Sequence, residues 1–132
     1  GAAGDGTQMT RDALEVVLAV ERSLGRSPEV PGDTRDLYDV RSTAPDGSHT
    51  YIKIRQEPTG APVTFTRNEV MAGRNLGDDY RLALVAVDRS GSGHPRVRYL
   101  PRPFDTLNTT DFRTARFTMA WSGLWAKGGA PL

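Results

Sequence analysis

Residues 49–56 read His-Thr-Tyr-Ile-Lys-Ile-Arg-Gln, and this stretch decides the fold. Alternate side chains of a strand point to opposite faces. Tyr51, Lys53 and Arg55 therefore share one face, and Ile52 and Ile54 the other. Just upstream, Pro45-Asp46-Gly47 has the composition of a turn. Residues 37–43 before it read as a short strand, so the two segments form a hairpin. Asp39 and Arg41 share a face of its first arm.

Reading outward toward the N-terminus, Leu14, Val17, Leu18 and Leu24 recur at helical spacing. Thr10 is the expected N-cap, Asp12 suits the first turn, and Gly25 can end the helix. On a wheel of about 100° per residue, Glu21 falls in the middle of the apolar stripe. Glu15, Arg22 and Arg26 fall on the polar side. A carboxylate on a buried face is costly unless it is paired or does chemistry. Residues 27–36, with two prolines and several charges, read as a loop.

Toward the C-terminus, residues 63–65 read as a short third strand. Thr66-Arg67-Asn68-Glu69 has the form of a capping box, which predicts a helix to about Leu76 with Gly77 as its stop. Residues 80–87 are apolar enough for a central strand buried on both faces. Another strand is expected over 96–100. A late strand is expected over 113–121, with Ala115, Phe117, Met119 and Trp121 on one face. Residues 1–9 and 126–132 are expected to be flexible, leaving one domain over 10–125.

The 132-residue length suits one domain with a core that needs no staples. The chain has no cysteine, which excludes disulfides and thiolate metal sites. His49 and His94 are the only histidines, too few for an ordinary zinc site, and are read as surface residues. No apolar run approaches a membrane span and no signal peptide is visible, so a cytoplasmic location is expected. The start at Gly1 rather than Met suggests a piece of a longer protein. The formal charge of +1 argues against nucleic-acid binding by net charge alone, while leaving a local patch open. Of 17 basic residues only Lys53 and Lys127 are lysines. Arginine favours bidentate phosphate contacts, although arginine-rich codon usage explains the bias equally well.

The order helix, hairpin, short strand, helix, buried strand is that of the PD-(D/E)XK nucleases, an α+β, restriction-endonuclease-like core. Five segments carry a narrower resemblance. Val20-Glu21-Arg22 with Gly25-Arg26, Tyr38-Asp39-Val40, Tyr51-Ile52-Lys53-Ile54-Arg55, Thr66-Arg67-Asn68-Glu69 and Asp79-Tyr80-Arg81-Leu82 resemble the NO VEIN C-terminal-like domain, a member of that superfamily. The likeness runs from about residue 12 to Leu107. The family's domains sit at the C-terminus of larger proteins, including helicase-like and defence-associated ones.

The resemblance implies Asp39 as the first metal carboxylate and Glu21 as the helix glutamate aimed at the site. These two would be the Mg²⁺ ligands if the site is active. The family pattern Ile-Glu-Val-Lys falls on Ile52-Lys53-Ile54-Arg55. A lysine thus replaces the second carboxylate, and an arginine replaces the lysine. Guanidinium stays protonated and cannot supply the same proton chemistry. Two unit charges about 4 Å apart interact by roughly 4 kcal/mol at an effective dielectric of 20, so reversing one disables the ordinary metal site. Lys53 is expected to pair with Asp39 or Glu21 and to stand in the metal's place, with no cofactor.

The leading expectation is a catalytically degenerate module that binds nucleic acid, with Arg41, Lys53 and Arg55 offered to phosphate, inside a larger DNA- or RNA-processing protein. A second is a protein-interaction domain. A third is a nuclease with a relocated site using Asp39, Glu21 and Glu57. Glu69 is read as a capping-box residue rather than a catalytic one, since its position after Thr66 explains it. Gly91-Ser92-Gly93 is a turn, because no lysine or helix follows it. Trp121 and Trp125 are read as packing residues rather than base-stacking platforms.

Overall fold

A computed structural model describes residues 11–33 and 37–132. The expected cap at Thr10 and the segment 1–9 lie outside these residues. The first helix, α1 (Arg11–Ser23), follows the apolar spacing, burying Ala13, Val17 and Leu18. It ends in a paired turn: Gly25 N–H donates to the Arg22 carbonyl and Arg26 N–H to the Glu21 carbonyl, both at 3.0 Å. That geometry places a left-handed residue after the helix, and Gly25 supplies it with φ of 83°.

A five-stranded sheet follows, in the order β1-β2-β3-β5-β6. It comprises β1 (Ser27–Glu29), β2 (Val40–Thr43), β3 (His49–Gln56), β5 (Tyr80–Val85) and β6 (Val97–Pro101). The stretch read as a loop over 27–36 in fact contributes β1, which pairs antiparallel with β2. Its three residues are too few for a strand pattern to show. The hairpin arm expected from residue 37 is shorter, since β2 starts at Val40, although Asp39 N–H already donates to the Ile52 carbonyl. β3 and β5 are parallel, with Lys53 opposite Leu82. Parallel neighbours need a crossover. It runs through β4 (Val63–Thr66), α2 (Arg67–Leu76) and a single 3-10 turn at Gly77–Asp79.

The sheet separates two cores. Ile52, Ile54, Ala83, Val85 and Tyr99 face α1. Leu82, Leu84 and Leu100 face the other way and join Phe65, Val70, Tyr80 and Phe104 beneath α2. Gly73 lets α2 sit down on this second core. A Cβ there would come within 2.7 Å of the Phe104 ring and 2.9 Å of the Tyr80 ring.

The late strand stops earlier than expected. β7 (Arg116–Met119) pairs with β4, setting Phe117 opposite Phe65, and Trp121 instead opens α3 (Trp121–Lys127). Period-2 alternation through Trp121 could not show the switch, because Trp121 and Trp125 also fit a helical spacing. Beyond α3, Gly129 exchanges two backbone hydrogen bonds with Tyr99 at the β6 edge, at 2.9 and 3.0 Å. The segment expected to trail free from 126 thus continues the sheet edge as far as Gly129.

Candidate functional site

Strand parity places Lys53 and Arg55 on the α2 face of β3, as the sequence implies. Asp39, just before β2, reaches the same face. Its Oδ2 accepts the Ile54 N–H at 2.8 Å, and its Oδ1 lies 3.7 Å from Lys53 Nζ. The shorter contact of Lys53 is with Glu69, at 2.8 Å from Nζ to Oε2. Arg55 Nη2 meets the same Oε2 at 2.7 Å, and its guanidinium lies over the Phe65 ring at 4.9 Å. Two acids and two cations thus form one buried cluster. Asp39 is 5% exposed, Lys53 4% and Glu69 4%, so solvent screens these charges weakly.

Glu69 is the member of this cluster that sequence reasoning missed. The capping box is present: Thr66 N–H donates to Glu69 Oε1 at 2.8 Å, and Glu69 N–H to Thr66 Oγ1 at 3.1 Å. A cap uses one carboxylate oxygen, however, and the other anchors both cations of β3. The available signal was the pair Lys53 and Arg55 on an inward face, which required an anion.

The cluster splits its two acids. Burial pushes the Asp39 carboxyl up, and Lys53, the Ile54 N–H and Arg55 only partly offset it. Burial acts on Glu69 in the same direction, but Arg55, Lys53 and the cap outweigh it and hold its carboxyl below the usual value. Tyr80 is fully buried beneath them. Burial and the nearby Glu69 and Asp39 charges raise its phenol. Its hydroxyl has no hydrogen-bond partner among the described residues.

Glu21 does not join this cluster. It faces inward as the helix wheel implies, but from the opposite side of the sheet. Its carboxylate receives Arg26 Nε at 2.6 Å, Arg26 Nη2 at 2.9 Å and the Tyr99 hydroxyl at 2.7 Å. The expected pairing of Lys53 with Glu21 is thereby corrected, and so is the placing of Arg26 on the polar side. The wheel failed for Arg26 because the helix has already ended at Gly25, and the turn folds the next side chain back. Burial alone would raise the Glu21 carboxyl. Bonds from Arg26 and Tyr99 outweigh it and hold it low, helped by a nearby Ser42 hydroxyl that stops short of a formed hydrogen bond.

The remaining candidates lie apart. Arg41 forms an exposed ion pair with Glu29 across the β1–β2 edge. Glu57 accepts the Val87 N–H at 2.9 Å and pairs with Arg89 at 2.7 Å, beyond the opposite end of β3 from Tyr51. The relocated trio of Asp39, Glu21 and Glu57 is therefore not assembled. His49 and His94 are exposed.

A Mg²⁺ site of the kind this fold implies needs several oxygen ligands free to face the ion. The residues here do not fit one. Both carboxylates of the cluster already face cations, and no group of three or more His, Asp or Glu able to hold a metal occurs among the described residues.

The topology, with the hairpin and the crossover through α2, is that of the restriction-endonuclease-like fold. A solved Holliday junction resolvase from Archaeoglobus fulgidus is similar to this chain with a TM-score of 0.58 and 15% identity. The match covers 88% of this chain and 94% of the resolvase. The family model "Protein NO VEIN, C-terminal" matches residues 10–100, and the chain belongs to that family. No curated protein sequence matches it.

Proposed function

We propose that this domain is a catalytically silent nuclease-like module that binds nucleic acid within a larger DNA- or RNA-processing protein. The observation that carries the reading is the Lys53 ammonium, buried between Glu69 at 2.8 Å and Asp39 at 3.7 Å. It supplies internally the positive charge that two converging carboxylates require. Arg55 completes the neutralisation from the position of the superfamily's lysine. Guanidinium does not give up its proton in a protein, so it cannot activate a water.

The same burial argues against Lys53 and Arg55 as phosphate contacts. Freeing either one would leave a buried carboxylate without its partner. The nuclease-like fold and family support a nucleic-acid role, but the contacts belong to another surface.

The test is incubation of the domain with single- and double-stranded DNA and RNA in Mg²⁺ or Mn²⁺. No cleavage is expected. Metal-dependent cleavage that disappears in Asp39→Ala would overturn the silent-site reading. Binding is tested separately by filter retention of the same substrates as salt is raised.

A protein-interaction module is the second reading. A groove of about 420 Å³ between α2 and Tyr38, lined by Leu37, Met71, Ala72 and Leu76, favours it. Association with the rest of the parent protein that survives high salt and nuclease treatment, and is lost in Met71→Glu, would establish it.

A further inference from the structure

We infer that β6 and α3 form a single-strand nucleic-acid contact surface built from Arg96, Arg98, Trp121, Trp125 and Lys127. This deepens the nucleic-acid reading above and rests on it.

The first observation is charge. The chain is nearly neutral, with 16 acidic residues, yet none falls in residues 94–104 or 112–132. β6 and α3 come from these two acid-free segments and pack side by side at the sheet edge farthest from β1. Arg96, Arg98 and Lys127 take part in none of the ion pairs among the described residues. Arg96 is felt by Glu57, but that carboxylate is tied to Arg89. With no acid in either segment, these three cations form a positive surface.

The second observation is the aromatic arrangement. The chain's two tryptophans stack on each other, with ring centres 5.7 Å apart and planes 20° apart. Both are half-buried against the α2-side core. The guanidinium of Arg98 lies 4.5 Å from the Trp125 ring centre, and that of Arg96 lies 5.4 Å away. Arg98 spends one N–H on the Trp125 carbonyl, at 2.7 Å. A guanidinium has five such donors, so most remain available. Held against indole, it is ordered before any ligand arrives and loses little freedom when it meets a phosphate.

Cations set beside aromatic rings suit one strand, whose phosphates meet the arginines while its unpaired bases stack. A duplex hides its base faces and could use only the charges. The patch lies two strands away from β3, so it does not compete with the Lys53 cluster.

Both tryptophans lie in the patch, so intrinsic fluorescence reports on it directly. An oligo-dT of about 16 nucleotides, the upper site size of small single-strand binders, is the probe. It should quench the wild-type domain, with affinity falling as salt rises. Arg96→Glu/Lys127→Glu changes two exposed side chains and should leave the fold intact. It should weaken binding by about tenfold or more, because two phosphate contacts become repulsions. Anisotropy of labelled oligo-dT and labelled duplex runs in parallel. Oligo-dT binding with unchanged tryptophan emission and no loss in the double variant would overturn the patch while leaving the nucleic-acid reading standing. Preference for duplex would overturn the single-strand assignment. No binding of either probe would overturn both readings.

Discussion

The two faces of the sheet each bury a carboxylate on a helix, and they settle it by different means. On the α1 face, Glu21 finds its cation five residues away, because the turn at Gly25 returns Arg26 onto it. On the α2 face, Glu69 finds its cations 14 and 16 residues upstream, on β3. The first solution is local and one-to-one. The second is long-range, shared among four charges, and leaves the Tyr80 hydroxyl beneath it without a partner among the described residues. A purely structural buried acid looks like the first. The second brings acids from two different segments together, each facing a cation of β3.

The strongest way to break this contrast is Lys53→Met. Two carboxylates would then share Arg55 alone, and a loss of about 3–5 kcal/mol is expected from urea denaturation, the range for breaking a buried pair. A loss below about 1 kcal/mol would show that the cluster is not buried as a unit. Glu21→Gln should cost less, about 2–3 kcal/mol. Its amide keeps one acceptor, and Arg26 at 15% exposure can turn to water. Gly73→Ala tests the packing beneath the shared cluster. The Cβ meets two buried rings, so about 1–3 kcal/mol should be lost without change at the Glu21 side.

Acid should separate the faces more gently. Glu21 and Glu69 are held below their ordinary 4.5 in the folded state. Their contributions are therefore present above that value and are lost as pH falls through the depressed one. Asp39 has the opposite sign: its raised carboxyl favours folding when protonated and opposes it as pH rises through the folded value. Acid destabilisation on the α2 face should thus be blunted by Asp39. Urea midpoints across the acid range should show that Glu21→Gln and Glu69→Gln each flatten the slope, whereas Asp39→Asn steepens it. Arg41→Ala, at an exposed edge pair, should move no midpoint measurably.

Much of this was legible in the sequence for stated reasons. Parity alone put Lys53 and Arg55 on one face, and the apolar stripe alone turned Glu21 inward. The five segments that resemble the NO VEIN domain also fixed the fold and the place of Asp39. What escaped was tertiary. The wheel shows that Glu21 is buried, but not on which side of the sheet. The helix stop at Gly25 was read correctly, yet its effect on the next residue was not followed through. A chain reversal after position 24 puts residues 21 and 26 in register, so Arg26 was a findable partner. Glu69 was hidden by a sufficient local explanation. β1 and α3 were missed because three and seven residues carry too little periodicity to identify them.

The double use of Glu69 has a consequence for inheritance. One oxygen starts α2 with Thr66, and the other holds Lys53 and Arg55. Positions 53, 55, 66 and 69 therefore cannot drift one at a time. A change at 69 uncaps a helix and strands two cations in a single step, while a carboxylate placed at 53 alone would crowd three acids around one guanidinium. Among descendants of this chain, the four should change as a linked block or stay fixed.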